Sequence, residues 1–458
     1  MRSARIVLPL LLLVAAAANA ATAFPPIPYK HRVLPNGLEV YTVQDRSAPT
    51  VAIHVWYKVG SKNDPEGRSG FAHLFEHLMF KSTKNMPSEM MDRLTEDVGG
   101  FNNATTFDDA TAYYEVVPSN YLETLLWAEA DRLGSLNVDE ANFKSERDVV
   151  KEEFRFRILS PPYGRMFYAL TKYAYTKHPY MRPGIGSIEE LDASTVGDAQ
   201  AFHRTFYRPD NAILIVVGDF DQQQADTWID KYFTPIAKPS TEIPRVNVQE
   251  PAREAEKRVT EYAPNVPLPA VAFSWLAPAA SHPDAVALQI ASTVLGEGES
   301  SRLNEKLVRG EIAQEIYTES DTREDLGVFV VFAIMGSDHN PSEAEKVIRA
   351  EIASLAEKGP TAAELEKAKN LVITSALRER ETSNGKGFTL GESIVLYRDA
   401  AFVNTGLAKL QAITAADVQR VAKKYLIEGK PLVLTYMDES KKEAPKEGAK
   451  SEKKEGAK

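Results

Sequence analysis

Residues 71–80, FAHLFEHLMF, carry two histidines and a glutamate inside an otherwise apolar run. At 100° per residue, Phe71, Leu74, Phe75, Leu78 and Met79 fall on one broad helical face. His73, Glu76 and His77 fall together on the opposite side. The two histidines are i,i+4, so their rings can converge on one point. Two neutral imidazoles so placed offer two ligands to a metal ion. Glu76, three residues after His73 and next to His77, suits a general base for a water held by that metal. The chain has only eight histidines, which makes this triple improbable by chance. The competing explanation is a pair of surface or capping histidines beside an unrelated acid.

A catalytic zinc usually takes three protein ligands and keeps a fourth position open. The chain has 64 acidic residues, so counting does not find the third ligand. The segment SERDVVKEEF, residues 145–154, narrows the search. Glu146, Val149, Val150 and Glu153 share one helical stripe, expected to face the core. A carboxylate buried there must be paired or bound to a metal. Asp148 and Glu152 point elsewhere, toward solvent. Glu153 and Glu146 are therefore the candidates, one as a ligand and one as support for a histidine. Alternatively, both face an arginine across a helix interface.

The elements around these residues are legible in outline. GLEVYTVQD and TVAIHVWYKVG read as strands before the histidine helix, and TAYYEVV as a strand after it. NYLETLLWAEADRLGSL and FKSERDVVKEEFRFRIL read as amphipathic helices. STVGDAQAFHRTF is helical, NAILIVVGDF a nearly continuous apolar strand and DQQQADTWIDKYF a closing helix. Residues 234–256 are rich in proline and polar side chains and read as a connection, with the linker proper at 241–256. The order then restarts: strand PAVAFSWLAP, helix PDAVALQIASTVLGE, strand LGVFVVFAI, two helices over 341–381, helix DVQRVAKKYL and strand PLVLTYM. This is an internal repeat of element order, not of letters. The second half has no HxxEH. The expected division is 21–240 for a metal-binding domain and 257–437 for a related domain without the motif.

The ends differ from the body. Arg2 and Arg5 precede IVLPLLLLVAAAA, and ANA at 18–20 reads as a cleavage site, so residues 1–20 are expected to be a secretory signal peptide cut after Ala20. This places the mature chain in a periplasm or outside the cell, with no stable membrane span once the signal is removed. There is no cysteine, hence no disulfide framework. Residues 438–458, a lysine- and acid-rich tail without large apolar side chains, read as disordered. The net charge is −10 with no basic cluster, so nucleic acid is not an expected partner.

The order H-x-x-E-H inverts the commoner H-E-x-x-H and occurs in inverted zinc peptidases. SGFAHLFEHLMF, GGFNNATTFDDATAYYEVVP, ERDVVKEEF, HPYMRPGIGSIEEL and YRPDNAILIVVGDFD, in this order, resemble the pitrilysin/insulinase family of zinc metallopeptidases, related to the mitochondrial processing peptidase. The resemblance spans roughly residues 30–437. It implies an α+β fold of two similar domains, each a mainly antiparallel sheet covered by helices.

For the site, the resemblance implies one Zn2+ per chain bound by His73, His77 and Glu153. It gives Glu76 the role of base and Glu146 that of orienting a zinc histidine. Asn103 and Ala104 resemble the edge strand on which a peptide substrate is laid by β-addition. Arg309 and Tyr317, in SSRLNEKLVRGEIAQEIYTES, match the pair that completes the site from the other domain. The implied function is hydrolysis of short or unfolded peptides in a closed chamber. The chamber is enclosed by a homodimer or by a heterodimer with a zinc-less homologue. Two other readings stand beside it: a zinc-binding subunit that needs such a partner for activity, and a non-catalytic peptide-binding subunit.

Overall fold

The computed structural model describes residues 24–442. The expected signal peptide and most of the charged tail lie outside that range. Among the described residues, no helix is long and apolar enough to cross a membrane.

The fold is α+β, built on two mixed sheets. The first contains β1 (Lys30–Val33), β2 (Glu39–Gln44), β3 (Thr50–Tyr57), β4 (Phe101–Thr106), β5 (Thr111–Pro118) and β6 (Ala212–Gly218). Their order is β1-β2-β6-β3-β5-β4, with β2 and β6 parallel and the other pairs antiparallel. The second contains β7 (Lys257–Ala263), β8 (Ala270–Ala277), β9 (Ala313–Asp321), β10 (Gly327–Met335) and β11 (Leu432–Asp438). Its order, β7-β11-β8-β10-β9, repeats the first sheet from β2 onward, including one parallel pair, β7 with β11. Between Phe233 and Lys257 the chain forms neither helix nor strand. The last strand includes Asp438, which the sequence reading assigns to the tail. Its carboxylate accepts the Val266 amide at 3.1 Å.

Both sheets are covered on both faces, which explains the unbroken apolar run of β6. Leu214 and Val216 enter the core under the helices of the first half, whereas Ile213, Ile215 and Val217 enter a second core on the opposite face. That second core is closed by the helix Ser383–Val395, which comes from the second half and packs on β3 and β6. Its Leu390 and Ile394 pack with Trp56 and Ile215. In return, the helix Gly164–Ala174 of the first half packs on β7, β8 and β11, where Met166 and Leu170 meet Leu432, Leu434 and Tyr436. Each half thus lends a helix to the other.

The lent helix 383–395 fits through two glycines. A Cβ on Gly387 would stand 2.3 Å from His54 Nε2, and one on Gly391 would stand 2.2 Å from Trp56 Cε2. Ion pairs reinforce the contact between halves. Lys62 Nζ lies 2.8 Å from Asp109, 2.5 Å from Glu324 and 3.0 Å from Asp325. Arg323 reaches Asp108 at 3.0 Å. Gly391→Val should therefore destabilise the protein by about 1–3 kcal/mol through overpacking. Gly197→Ala should be neutral or stabilising: Gly197 lies in an exposed helical turn, and its Cβ would meet only Thr195 Oγ1, at 3.6 Å. Denaturant midpoints of the two variants check this pair of expectations.

Candidate metal centre

The helix Phe71–Leu78 buries Phe71, Ala72, Leu74, Phe75 and Leu78. Phe75 stacks on Phe202 at 5.4 Å and packs against Tyr207 at 5.0 Å. The chain enters the helix through Gly70, at φ 91°, and a Cβ there would stand 2.9 Å from the Ile185 carbonyl oxygen. No side chain adjacent to the helix caps it. The buried carboxylate of Asp64 does so instead, accepting the Gly70 amide at 2.7 Å and the Ala72 amide at 2.9 Å. Burial pushes the Asp64 carboxyl up to about 7, against the pull of the two amides. An anchored first turn and a buried apolar face fix how the opposite face is presented.

That face carries His73 and His77, with ring centroids 4.9 Å apart and planes at 89°. Glu153 arrives from the helix Glu140–Phe154, which packs against the first helix. One Glu153 oxygen lies 3.5 Å from His73 Nε2 and 3.2 Å from His77 Nε2. The three donor atoms lie within 4.8 Å of one another. Two imidazole nitrogens and one carboxylate oxygen, converging, are the donor set of a catalytic zinc with an open position. Burial and the neighbouring His77 hold the His73 imidazole below the usual histidine range, which favours the neutral form that binds metal. The hydrogen bond with His77 and the nearby His73 and Arg157 hold the Glu153 carboxyl below the usual carboxylate range, although burial opposes them.

The stripe expected to face the core is only partly correct. Phe143, Glu146, Val150 and Phe154 form the buried ridge of the helix 140–154. Val149 is 45% exposed. The ridge is centred on Val150, which turns Val149 outward and leaves Glu153 on the flank, where it can reach both histidines. Glu152 and Asp148 are exposed, as expected, and pair with Arg155 and Lys151. Glu146 is buried, and its closest partners are Lys81 Nζ at 2.8 Å and Ser145 Oγ at 3.0 Å. Its other oxygen stands 3.8 Å from His77 Nδ1, too far for a hydrogen bond. The cation beside Glu153 is Arg157, at 2.8 Å, from the continuation of its own helix rather than from a facing one.

Glu76 lies on the histidine side of the helix and accepts a hydrogen bond from Thr106 Oγ1 at 2.6 Å. Thr106 ends β4, whose only strand partner among the described residues is β5, so among them the other edge of β4 is unpaired. Asn103 and Ala104 lie on this strand, opposite Tyr114 and Tyr113, and the Ala104 amide is covered by Asn103 Oδ1 at 2.8 Å. Arg309 and Tyr317 have other partners. Arg309 pairs with Glu305 at 2.9 Å and approaches Glu299 at 3.9 Å. Tyr317, on β9, is half-exposed and packs against Phe332 at 5.3 Å. Among the described residues, neither forms a hydrogen bond or ion pair with His73, Glu76, His77 or Glu153. A second acidic group, Asp109, Glu324 and Asp325, also has its oxygens close together, but the Lys62 ammonium touches all three.

Residues 39–186 match the model described as insulinase, peptidase family M16, and residues 194–372 match the model described as the peptidase M16 inactive domain. The chain is 33% identical over 399 residues to zinc protease PqqE of Helicobacter pylori, covering 86% of this chain and 89% of that protein. The chain belongs to the M16 peptidase family. It is 26% identical to a probable mitochondrial-processing peptidase subunit beta of Arabidopsis thaliana, over 86% of this chain and 76% of that one. The crystal structure of a protease from Helicobacter pylori superposes with a TM-score of 0.86 at 31% identity, covering 90% of this chain and all of that one. The family and the two-domain α+β fold implied by the sequence resemblance are thereby established.

Asp64 and Thr106 are absent from the sequence reading. Asp64 precedes its helix by a whole loop, outside any local capping pattern. Thr106 could have been found by strand alternation, two residues beyond Ala104 on the same face.

Glu153→Gln should lose most bound zinc, while Glu152→Gln keeps it; metal content by atomic spectroscopy after dialysis separates the two. Asp64→Ala should cost about 1–2 kcal/mol of stability as a lost helix cap. Thermal unfolding of the metal-free protein measures that cost apart from zinc.

Proposed function

We propose that this chain is a zinc-dependent endopeptidase acting on short or unfolded peptides. The observation that carries the reading is the convergence of His73, His77 and Glu153 with Glu76 held beside them. His73, His77 and Glu153 would hold one Zn2+ per chain. When bound, zinc lowers the pKa of a water and polarises the scissile carbonyl. Glu76 takes the water proton and later delivers it to the leaving amine. The unpaired edge of β4, around Asn103 and Ala104, receives an extended peptide by backbone hydrogen bonds, which gives affinity with loose sequence demand. Glu146 steadies the metal site through Lys81 and its charge near His77 rather than by a direct bond to the ring.

Arg309 and Tyr317 complete the site across a chamber. Within this chain Arg309 pairs with Glu305, and Tyr317 packs on Phe332 beside the helix Gly164–Ala174. Among the described residues neither bonds to the metal-site residues, which favours their serving a second chain: another copy, or a zinc-less homologue. The Arabidopsis relative is itself named as a subunit, in line with an assembly of chains. Dependence on such a partner is the second reading, and the match of residues 194–372 to an inactive-domain model favours it. The leader-like segment at 1–20 supports a periplasmic or secreted location.

Glu76→Gln should retain zinc and lose peptide hydrolysis by at least about 100-fold, the contribution of a positioned base. Near-normal turnover would remove Glu76 from the mechanism. A chelator should abolish hydrolysis, and added zinc should restore it. Light scattering at assay concentration should give a dimer for the self-paired assembly. A monomer that gains activity only when a zinc-less homologue is added would select the second reading.

A further inference from the structure

We infer that Thr106 is a positioning residue that registers the general base against the substrate strand, an inference that rests on the peptidase reading above. Thr106 Oγ1 donates to Glu76 at 2.6 Å and is the only hydrogen-bond donor to that carboxylate among the described residues.

Three features make this contact more than incidental. First, Glu76 has three side-chain torsions and lies between two metal ligands, so an unrestrained carboxylate would spread over several rotamers. Fixing one oxygen leaves the other free to face the water whose proton it takes. Second, the donor is itself rigid. Threonine is β-branched and stiff at χ1, and its backbone is held in β4 opposite Thr111. Third, alternation places Thr106 on the face of β4 that carries Ala104, and β4 packs against the helix Phe71–Leu78. The strand proposed to receive the peptide backbone is therefore the strand that holds the base. A peptide added to the β4 edge and the Glu76 carboxylate are both located from one backbone, which keeps the scissile bond and base in a fixed relation.

Thr106→Val removes the hydroxyl and preserves shape, whereas Thr106→Ser keeps the donor. With a peptide substrate, the valine variant should lose roughly 10- to 100-fold in kcat, the scale of a misplaced reacting group, with little change in KM. Zinc content should stay at one per chain. The serine variant should recover most of kcat. A valine variant within twofold of the parent kcat would overturn the inference, as would a serine variant as impaired as valine, or zinc loss that accounts for the defect. Crystal structures of the zinc-loaded parent and valine variant give a readout independent of turnover. Glu76 should occupy one rotamer in the parent and several in the variant; one unchanged rotamer in both would overturn the inference. If the parent hydrolyses no peptide, the peptidase reading fails, and the rotamer comparison still decides whether Thr106 positions Glu76.

Discussion

Two helices must meet at one point, because a single turn can supply two imidazoles but not the third ligand. His73 and His77 converge by helical spacing alone. Glu153 belongs to a distant segment and reaches them only if the helix Glu140–Phe154 is locked against the helix Phe71–Leu78. The polar atoms concerned are partly withdrawn from water, so their convergence has an energetic cost that packing must offset. Phe75, Val150, Phe143 and Leu78 belong to one continuous core beneath the site. Asp64 anchors the first turn of the histidine helix. The rest of the first half serves as the mould for this meeting.

The second half stabilises that mould by packing; among the described residues it adds no donor to the His73, His77 and Glu153 group. Its helix Ser383–Val395 closes the far face of the zinc-side sheet, and the Lys62 cluster ties the loop before β5 to the loop before β10. A chain so interlocked is expected to move as one body. This would suit the proposed assembly, in which a chamber opens between chains rather than within one.

Much of this architecture is visible in the letters. The central strands β2, β3, β5, β6, β8, β10 and β11 announce themselves by alternation or apolar runs. Strands β1, β7 and β9 do not, because they lie toward the sheet margins and carry mixed polar sequences such as KRVTEYA and AQEIYTESD. SNGKGFTLGESIV is assigned no element from the sequence, and its glycines lower helix propensity; in the helix, two of those glycines sit where His54 and Trp56 leave no room for side chains. At the site, the i,i+4 histidines are legible because one helix carries them. Glu153 is legible only as one of two candidates, since periodicity cannot set a rotation finely enough to turn Val149 outward. The bonds of Asp64 and Thr106 join distant segments and leave no local trace.

Zinc K-edge X-ray absorption of the purified protein tests the central claim most directly, since it reads the ligand set itself. The account predicts a zinc ion with about four nitrogen and oxygen neighbours near 2.0–2.1 Å, the multiple-scattering signature of two imidazoles, and the loss of one imidazole in His77→Ala. A spectrum without imidazole scattering, or one unchanged by His77→Ala, would contradict it.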